Sequence, residues 1–138
     1  MEIFKMILHT HGGYPYIDNG ANYAMDGRQV LTKGFGINQY DPAIAAMQFK
    51  KTAEFFNNED KTPLFHYMTS FTSETAPTAE KTMELTEKIF DELTQNHLAL
   101  ISIHNEVRAD SDYHSHTFMS PTNYKNGSML YGDNATTF

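Results

Sequence analysis

The stretch ISIHNEVRADSDYHSHTF, residues 101–118, holds three of the chain's seven histidines. His114 and His116 are separated by one residue, and His104 lies ten residues before the first of them. Side chains at i and i+2 of a strand point to one face, so on a strand these two imidazoles project together. If a strand over 98–104 pairs with one over 114–120, His104 comes opposite that neighbourhood. Three imidazoles converging on one sheet face make an open three-ligand metal site, with positions left for water or substrate. Glu106 and the Asp110/Asp112 pair are near enough in sequence to orient a ring nitrogen from behind. Ligand type alone points to zinc or another borderline divalent ion, since hard magnesium prefers oxygens. The plainer alternative is a solvated hairpin flanked by polar residues. H-x-H by itself is weak, and the third histidine is what strengthens it.

The elements that must position these residues can be read from periodicity. LTKGFGINQY (31–40) reads as a loop running into a brief strand. DPAIAAMQFKKTAEFF opens with Asp41 as N-cap and Pro42 at the first helical position. Ile44, Ala46, Met47 and Phe49 recur at helical spacing, so a helix is expected over 42–57. PLFHYMTSFT suits a strand. A second helix is expected over 77–96, with Pro77 and Glu80 at its start and Met83, Phe90 and Leu93 on one stripe. HLALISIHN and HSHTFMSPT follow as strands on either side of an acidic loop, a spacing that favours an antiparallel pair. NYKNGSMLYGDNATTF reads as a turn and a loosely ordered tail. The order strand, helix, strand, helix, strand, strand indicates an α+β domain, with helices on one face of an antiparallel sheet and the histidines on the other.

Composition bounds the function. The 138 residues fit one domain. The absence of cysteine excludes disulfides, thiolate metal sites and a cysteine nucleophile. No apolar run approaches the length of a membrane span, and the weakly charged MEIFKMILHTHGG start, broken by His9 and His11, is not a signal peptide. A cytoplasmic protein is expected, with no membrane insertion. The net charge of −7 argues against generic nucleic-acid binding, which relies on clustered Lys and Arg.

A strand ending in His with a nearby acid, a short acidic loop and then H-x-H opening a second strand resembles the third motif of plasmid relaxases, the mobilization nickases of the HUH endonuclease superfamily. FHYMTSFTSETAPTAEKTMELTEKIFDEL resembles the strand and Pro-started helix that precede the ligand strand in that family. GANYAMDGRQVLTKGFGIN resembles the N-terminal segment carrying the catalytic tyrosine. The resemblance covers 20–125 and is most specific over 64–120. Two departures stand out. The residue between the paired histidines is usually hydrophobic, whereas here it is Ser115, which would point away from the metal. The chain also stops soon after the ligand strand, where relaxase domains continue into helices that clamp DNA. A single relaxase-like domain over 1–138 is expected, minimal or truncated at its C-terminus.

The resemblance implies a fold of ferredoxin-like, HUH relaxase type, and it implies a mechanism. A tyrosine attacks the scissile phosphate of single-stranded or hairpin DNA at a transfer origin and leaves a 5′-phosphotyrosyl link. A divalent ion, Mg or Mn in the family with Zn also compatible with the ligands, acts as Lewis acid. His104, His114 and His116 take the ligand positions. Tyr14, Tyr16 and Tyr23 are the candidate nucleophiles, with Tyr23 preferred because NYAMDGRQ begins a short helix ahead of the glycine-containing strand. Glu106 takes the place of the family's acid, with Asp26 as a second candidate. Arg28, Lys33 and Lys125 are placed to meet phosphates, and accessory mobilization proteins are possible partners. His66 reads as a hydrogen-bonded strand histidine, and His9, His11 and His97 as structural or solvated. Base stacking on the ten Phe and eight Tyr would reduce reliance on basic patches. Other readings are a rolling-circle replication initiator, whose ligand strands more often precede the tyrosine, and a non-catalytic DNA-binding or assembly module derived from a relaxase. A His₃ metallohydrolase is disfavoured by the lack of HExxH.

Overall fold

The computed structural model describes residues 3–9, 13–108 and 111–130, with side chains at 13–105 and 113–130. In chain order the elements are β1 (Ile3–His9), α1 (Gly13–Ala24), β2 (Gln29–Phe35), α2 (Pro42–Phe55), β3 (Leu64–Ser70), α3 (Ala79–Thr94), β4 (Ala99–Arg108) and β5 (Ser111–Met119). Both expected helices form. Asp41 caps α2 by accepting from the Ala43 and Ile44 amides with Pro42 following it, and Thr78 caps α3 by accepting from the Lys81 amide. The strands make one antiparallel sheet in the order β1-β3-β5-β4-β2. β5, which carries H-x-H, is therefore central.

The α+β class with an antiparallel sheet is as expected, but the helices do not share a face. Strand parity separates two cores. Phe65, Tyr67, Ala99, Ile101, Ile103 and Met119 face α3, meeting its Ala79, Met83, Phe90 and Leu93. Leu64, Leu100 and Phe118 face the other way, against Ile17, Ala21 and Ala24 of α1 and Ala45, Ala46 and Phe49 of α2. The histidine face is thus covered by α1, not left open. The reason lies in a segment that did not read as helical. Gly13, Pro15, Asn19 and Gly20 look like breakers, yet Pro15 sits in the first turn, where a missing amide costs nothing. Small residues then let α1 lie close to the sheet, with Gly20, Ala21 and Ala24 buried. β1 was likewise unanticipated, and it pairs antiparallel with β3 at the sheet edge.

The acidic loop is also shorter than expected. β4 runs past His104 to Arg108 and β5 begins at Ser111, with Asn105 opposite Tyr113 and a bulge between Asn105 and Arg108. After β5 the chain turns, held by Thr122 pairing with Met129. Residues beyond 130 of the expected tail lie outside the described residues. Among those described, no helix is long and apolar enough to cross a membrane.

Candidate functional site

The end of α1 is tied to the sheet through its own carbonyl. The last carbonyls of a helix lack intrahelical partners, and that of Ala24 accepts from Ser102 Oγ of β4 at 2.9 Å and from Thr32 Oγ1 of β2 at 3.4 Å. Tyr23, one residue earlier, is thereby set over the sheet. The loop that follows turns at Gly27, with φ of 101°, and brings the Arg28 guanidinium to 5.0 Å from the centre of the Tyr23 ring. Asp26 holds Arg28 through Nε at 2.8 Å and a terminal nitrogen at 2.6 Å, and these bonds keep its carboxyl below the usual range.

Beneath Tyr23 the register assembles the histidines. His104 pairs directly with His114 across β4 and β5, and His116 pairs with Ser102. All three are buried, exposing 2%, 6% and 4% of their surfaces. The Tyr23 ring stacks on His104 with centroids 5.0 Å apart and planes at 19°, and meets His116 edge-on at 5.0 Å. His104 and His116 centroids are 4.9 Å apart. From β3, His66 enters the same cluster: its Nε2 lies 3.0 Å from His116 Nδ1 and its ring stacks on Phe118 at 4.3 Å. Burial, followed by the neighbouring His66, His104, His114 and Arg28, pushes the His116 pKa down to about 3. His116 is therefore neutral near pH 7, the form that ligates metals. The tautomer of His104 follows from hydrogen count. Ser102 spends its one hydrogen on the Ala24 carbonyl, so it accepts from His104 Nε2 at 3.0 Å, which leaves Nδ1 as the lone-pair nitrogen.

The structure brings Tyr23, His104, His114, His116 and Arg28 together. Tyr23 lies in the last turn of α1, not at the start of a short helix. Tyr16 is two turns back on the same helix, and burial raises its pKa to about 12. Tyr14 is also raised to about 12, by burial and then Glu54 and Glu59, and its hydroxyl faces the Lys50 carbonyl on α2. Lys33 is not brought to the site. It points to the α3 face, bonded to Glu87 at 2.5 Å, because its parity on β2 opposes that of Thr32. Lys125 is also elsewhere, in the turn after β5, where its neighbour Tyr124 bonds Gln95 and Asn96 at the end of α3. The backbone of Glu106 lies on β4, but its side chain, like that of Asp112 and all of Asp110, is outside the described residues. Ser115 does point away from the histidines. Its Oγ donates to the Thr69 carbonyl at 3.3 Å and lies 3.0 Å from Thr86 Oγ1 of α3, so the α3 face accommodates its polarity.

Imidazole is a ligand type that borderline divalent ions take. As the rings stand they do not close on a common point: among the described residues no group of three His, Cys, Asp or Glu is set to hold a metal. Two participants were missed from sequence. Ser102 could have been found as the residue two before His104 on the same strand face. His66 could not, because nothing local reveals that β3 neighbours β5. His97 is structural as expected, buried with Nδ1 2.9 Å from the Ser120 carbonyl.

No curated protein matches the chain. A family model described as relaxase, MobA/VirD2-like, nuclease domain matches residues 16–137, which takes in α1 from Tyr16 onward, the whole histidine cluster and every strand but β1. The chain belongs to the MobA/VirD2-like relaxase nuclease-domain family.

Proposed function

We propose that this domain nicks one DNA strand at a plasmid transfer origin by tyrosine transesterification, as an enzyme of conjugative mobilization in the cytoplasm. The observation that carries the reading is the packing of Tyr23 against both His104 and His116, each at 5.0 Å, within a relaxase nuclease domain. The Tyr23 oxygen attacks the scissile phosphorus and loses its proton. The bond from phosphorus to the 3′ oxygen breaks, the 3′-hydroxyl leaves with a proton, and a 5′-phosphotyrosyl link remains. Arg28, beside the Tyr23 ring, places positive charge where both phenolate and phosphate are stabilised. Glu106, two residues after His104 on β4, orients an imidazole or helps to position the tyrosine. His104, His114 and His116 would hold a divalent ion, Mg or Mn with Zn also compatible, which would supply Lewis-acid polarisation of the phosphate. Single-stranded or hairpin DNA is the substrate, with accessory mobilization proteins as further partners.

A second reading is a relaxase-derived module that binds DNA without cutting. It is favoured by the net charge of −7 and by histidine rings that, as they stand, form no closed ligand group. The deciding experiment incubates the protein and Mn²⁺ with single-stranded oligonucleotides tiled across the DNA flanking its own gene. A covalent adduct on a denaturing gel, absent with Tyr23→Phe and with His114→Ala, is expected. An adduct that survives Tyr23→Phe moves the nucleophile to Tyr14 or Tyr16. DNA binding with no adduct from any oligonucleotide leaves the non-catalytic module.

A further inference from the structure

One face of α1 does more than carry Tyr23. Residues 16, 19, 20 and 23 share that face at helical spacing, and with His66 and Phe118 of the sheet they line a cavity of about 190 Å³. Pockets for drug-sized ligands run to about 300–1,000 Å³, so this one suits a single ring system. Its walls are aromatic: Tyr16 and Tyr23 from the helix, Phe118 and the stacked His66 ring from the sheet. Gly20 lines it where α1 packs tightest on the sheet: a Cβ there would come within 2.8 Å of Leu64 Cδ2 and 3.1 Å of Phe118 Cδ1. Asn19, exposed at the rim, offers both an amide donor and a carbonyl acceptor.

We infer that this cavity holds one unstacked nucleobase of the strand being cut, the base beside the scissile phosphate. The inference rests on the relaxase reading above. A phosphate attacked by the Tyr23 hydroxyl has its two flanking nucleotides next to the Tyr23 ring, and that ring is a wall of the cavity. Among the described residues no Lys, Arg, Asp or Glu lines it, so it suits an uncharged aromatic ring, while Arg28 lies where phosphate would pass. Stacking on an aromatic wall tolerates any base, and Asn19 at the rim then gives preference through the base edge. This supplies binding energy that a chain of net charge −7 does not draw from basic patches.

The test uses the oligonucleotide that forms the adduct, with an abasic analogue placed in turn at each position flanking the nick. Affinity is read by fluorescence anisotropy for the wild type, Tyr16→Leu and Asn19→Ala. In the wild type, one position beside the nick should weaken binding roughly 5- to 150-fold when its base is removed. That penalty should fall to near unity in Tyr16→Leu, an apolar replacement checked for an unchanged thermal midpoint. Asn19→Ala, at an exposed position, should flatten the preference among the four bases there. An adduct that forms normally while no single position matters, or a penalty unchanged in Tyr16→Leu, overturns the base pocket and leaves the nicking reading intact. Failure to form any adduct overturns both.

Discussion

Ser102 Oγ donates to the Ala24 carbonyl at 2.9 Å while accepting from His104 Nε2 at 3.0 Å, so one buried hydroxyl joins the end of the tyrosine helix to a candidate ligand. In Ser102→Ala the carbonyl keeps only the longer Thr32 contact and the His104 N–H loses its acceptor. A buried group left without a partner costs about 1–3 kcal/mol, and urea unfolding should show a loss of that size. Adduct formation should slow more than oligonucleotide affinity falls, because Tyr23 is displaced and the strand-binding surface is not. Stability within about 0.5 kcal/mol of wild type would mean that the hydroxyl ties nothing.

His66 and His116 share a single hydrogen between Nε2 and Nδ1 at 3.0 Å. For His116 to present a lone pair at Nε2, that hydrogen must sit on its Nδ1 and point at His66. Imidazole ¹⁵N shifts should report this tautomer. His66→Phe keeps a ring against Phe118 but removes the acceptor, and Mn²⁺ affinity should drop about 10- to 100-fold, with His66→Gln recovering much of it. Unchanged Mn²⁺ affinity in His66→Phe would remove His66 from any role behind the ligand.

What the sequence revealed divides along a physical line. The cap Asp41, the helical stripe of α3 and the pairing of His104 with the H-x-H strand are local or nearly local signals, and all appear. The coverage of the histidine face by α1 was not legible, because Gly20 looks like a breaker until Leu64 and Phe118 are seen against it. His66 is a hydrogen-bonded strand histidine, as read, but its partner stayed hidden for the same reason. Its partner is fifty residues away, and only the sheet order makes them neighbours. Lys33 shows the hazard of position without parity: one residue from Thr32, it faces the opposite side of the sheet.

Gly20→Ala sets two effects in opposition. Alanine in a helix interior gains about 1 kcal/mol over glycine, while overpacking a tight interface costs about 1–3 kcal/mol. Leu64 is fully buried and Phe118 nearly so, and a Cβ at 2.8 and 3.1 Å from them has nowhere to go. The clash should win, lowering the thermal midpoint and lifting α1 with Tyr23, so that adduct formation falls. Asn22→Ala, on the exposed side of the same helix, should leave the midpoint unchanged or raise it. A Gly20→Ala protein as stable and active as wild type would show that α1 does not sit this close.

Acid should unfold this protein through its buried histidines. Burial holds His97 below the ordinary imidazole value of 6.5 and His116 down at about 3. The unfolded chain therefore takes up these protons first as the pH falls, and stability rises with pH wherever the unfolded state binds more of them. The contribution is complete above about 6.5 and is lost as the pH falls from there toward about 3. Urea midpoints measured with chelator present should decline across that window. The decline should be shallower in His116→Gln and in His97→Gln, each of which removes one of the groups. Divalent-ion affinity through His116 should hold until the pH nears about 3, since a ligating imidazole must be unprotonated and the folded one stays so above that value. A flat midpoint between pH 6.5 and pH 4 would show that these imidazoles are not held neutral by burial.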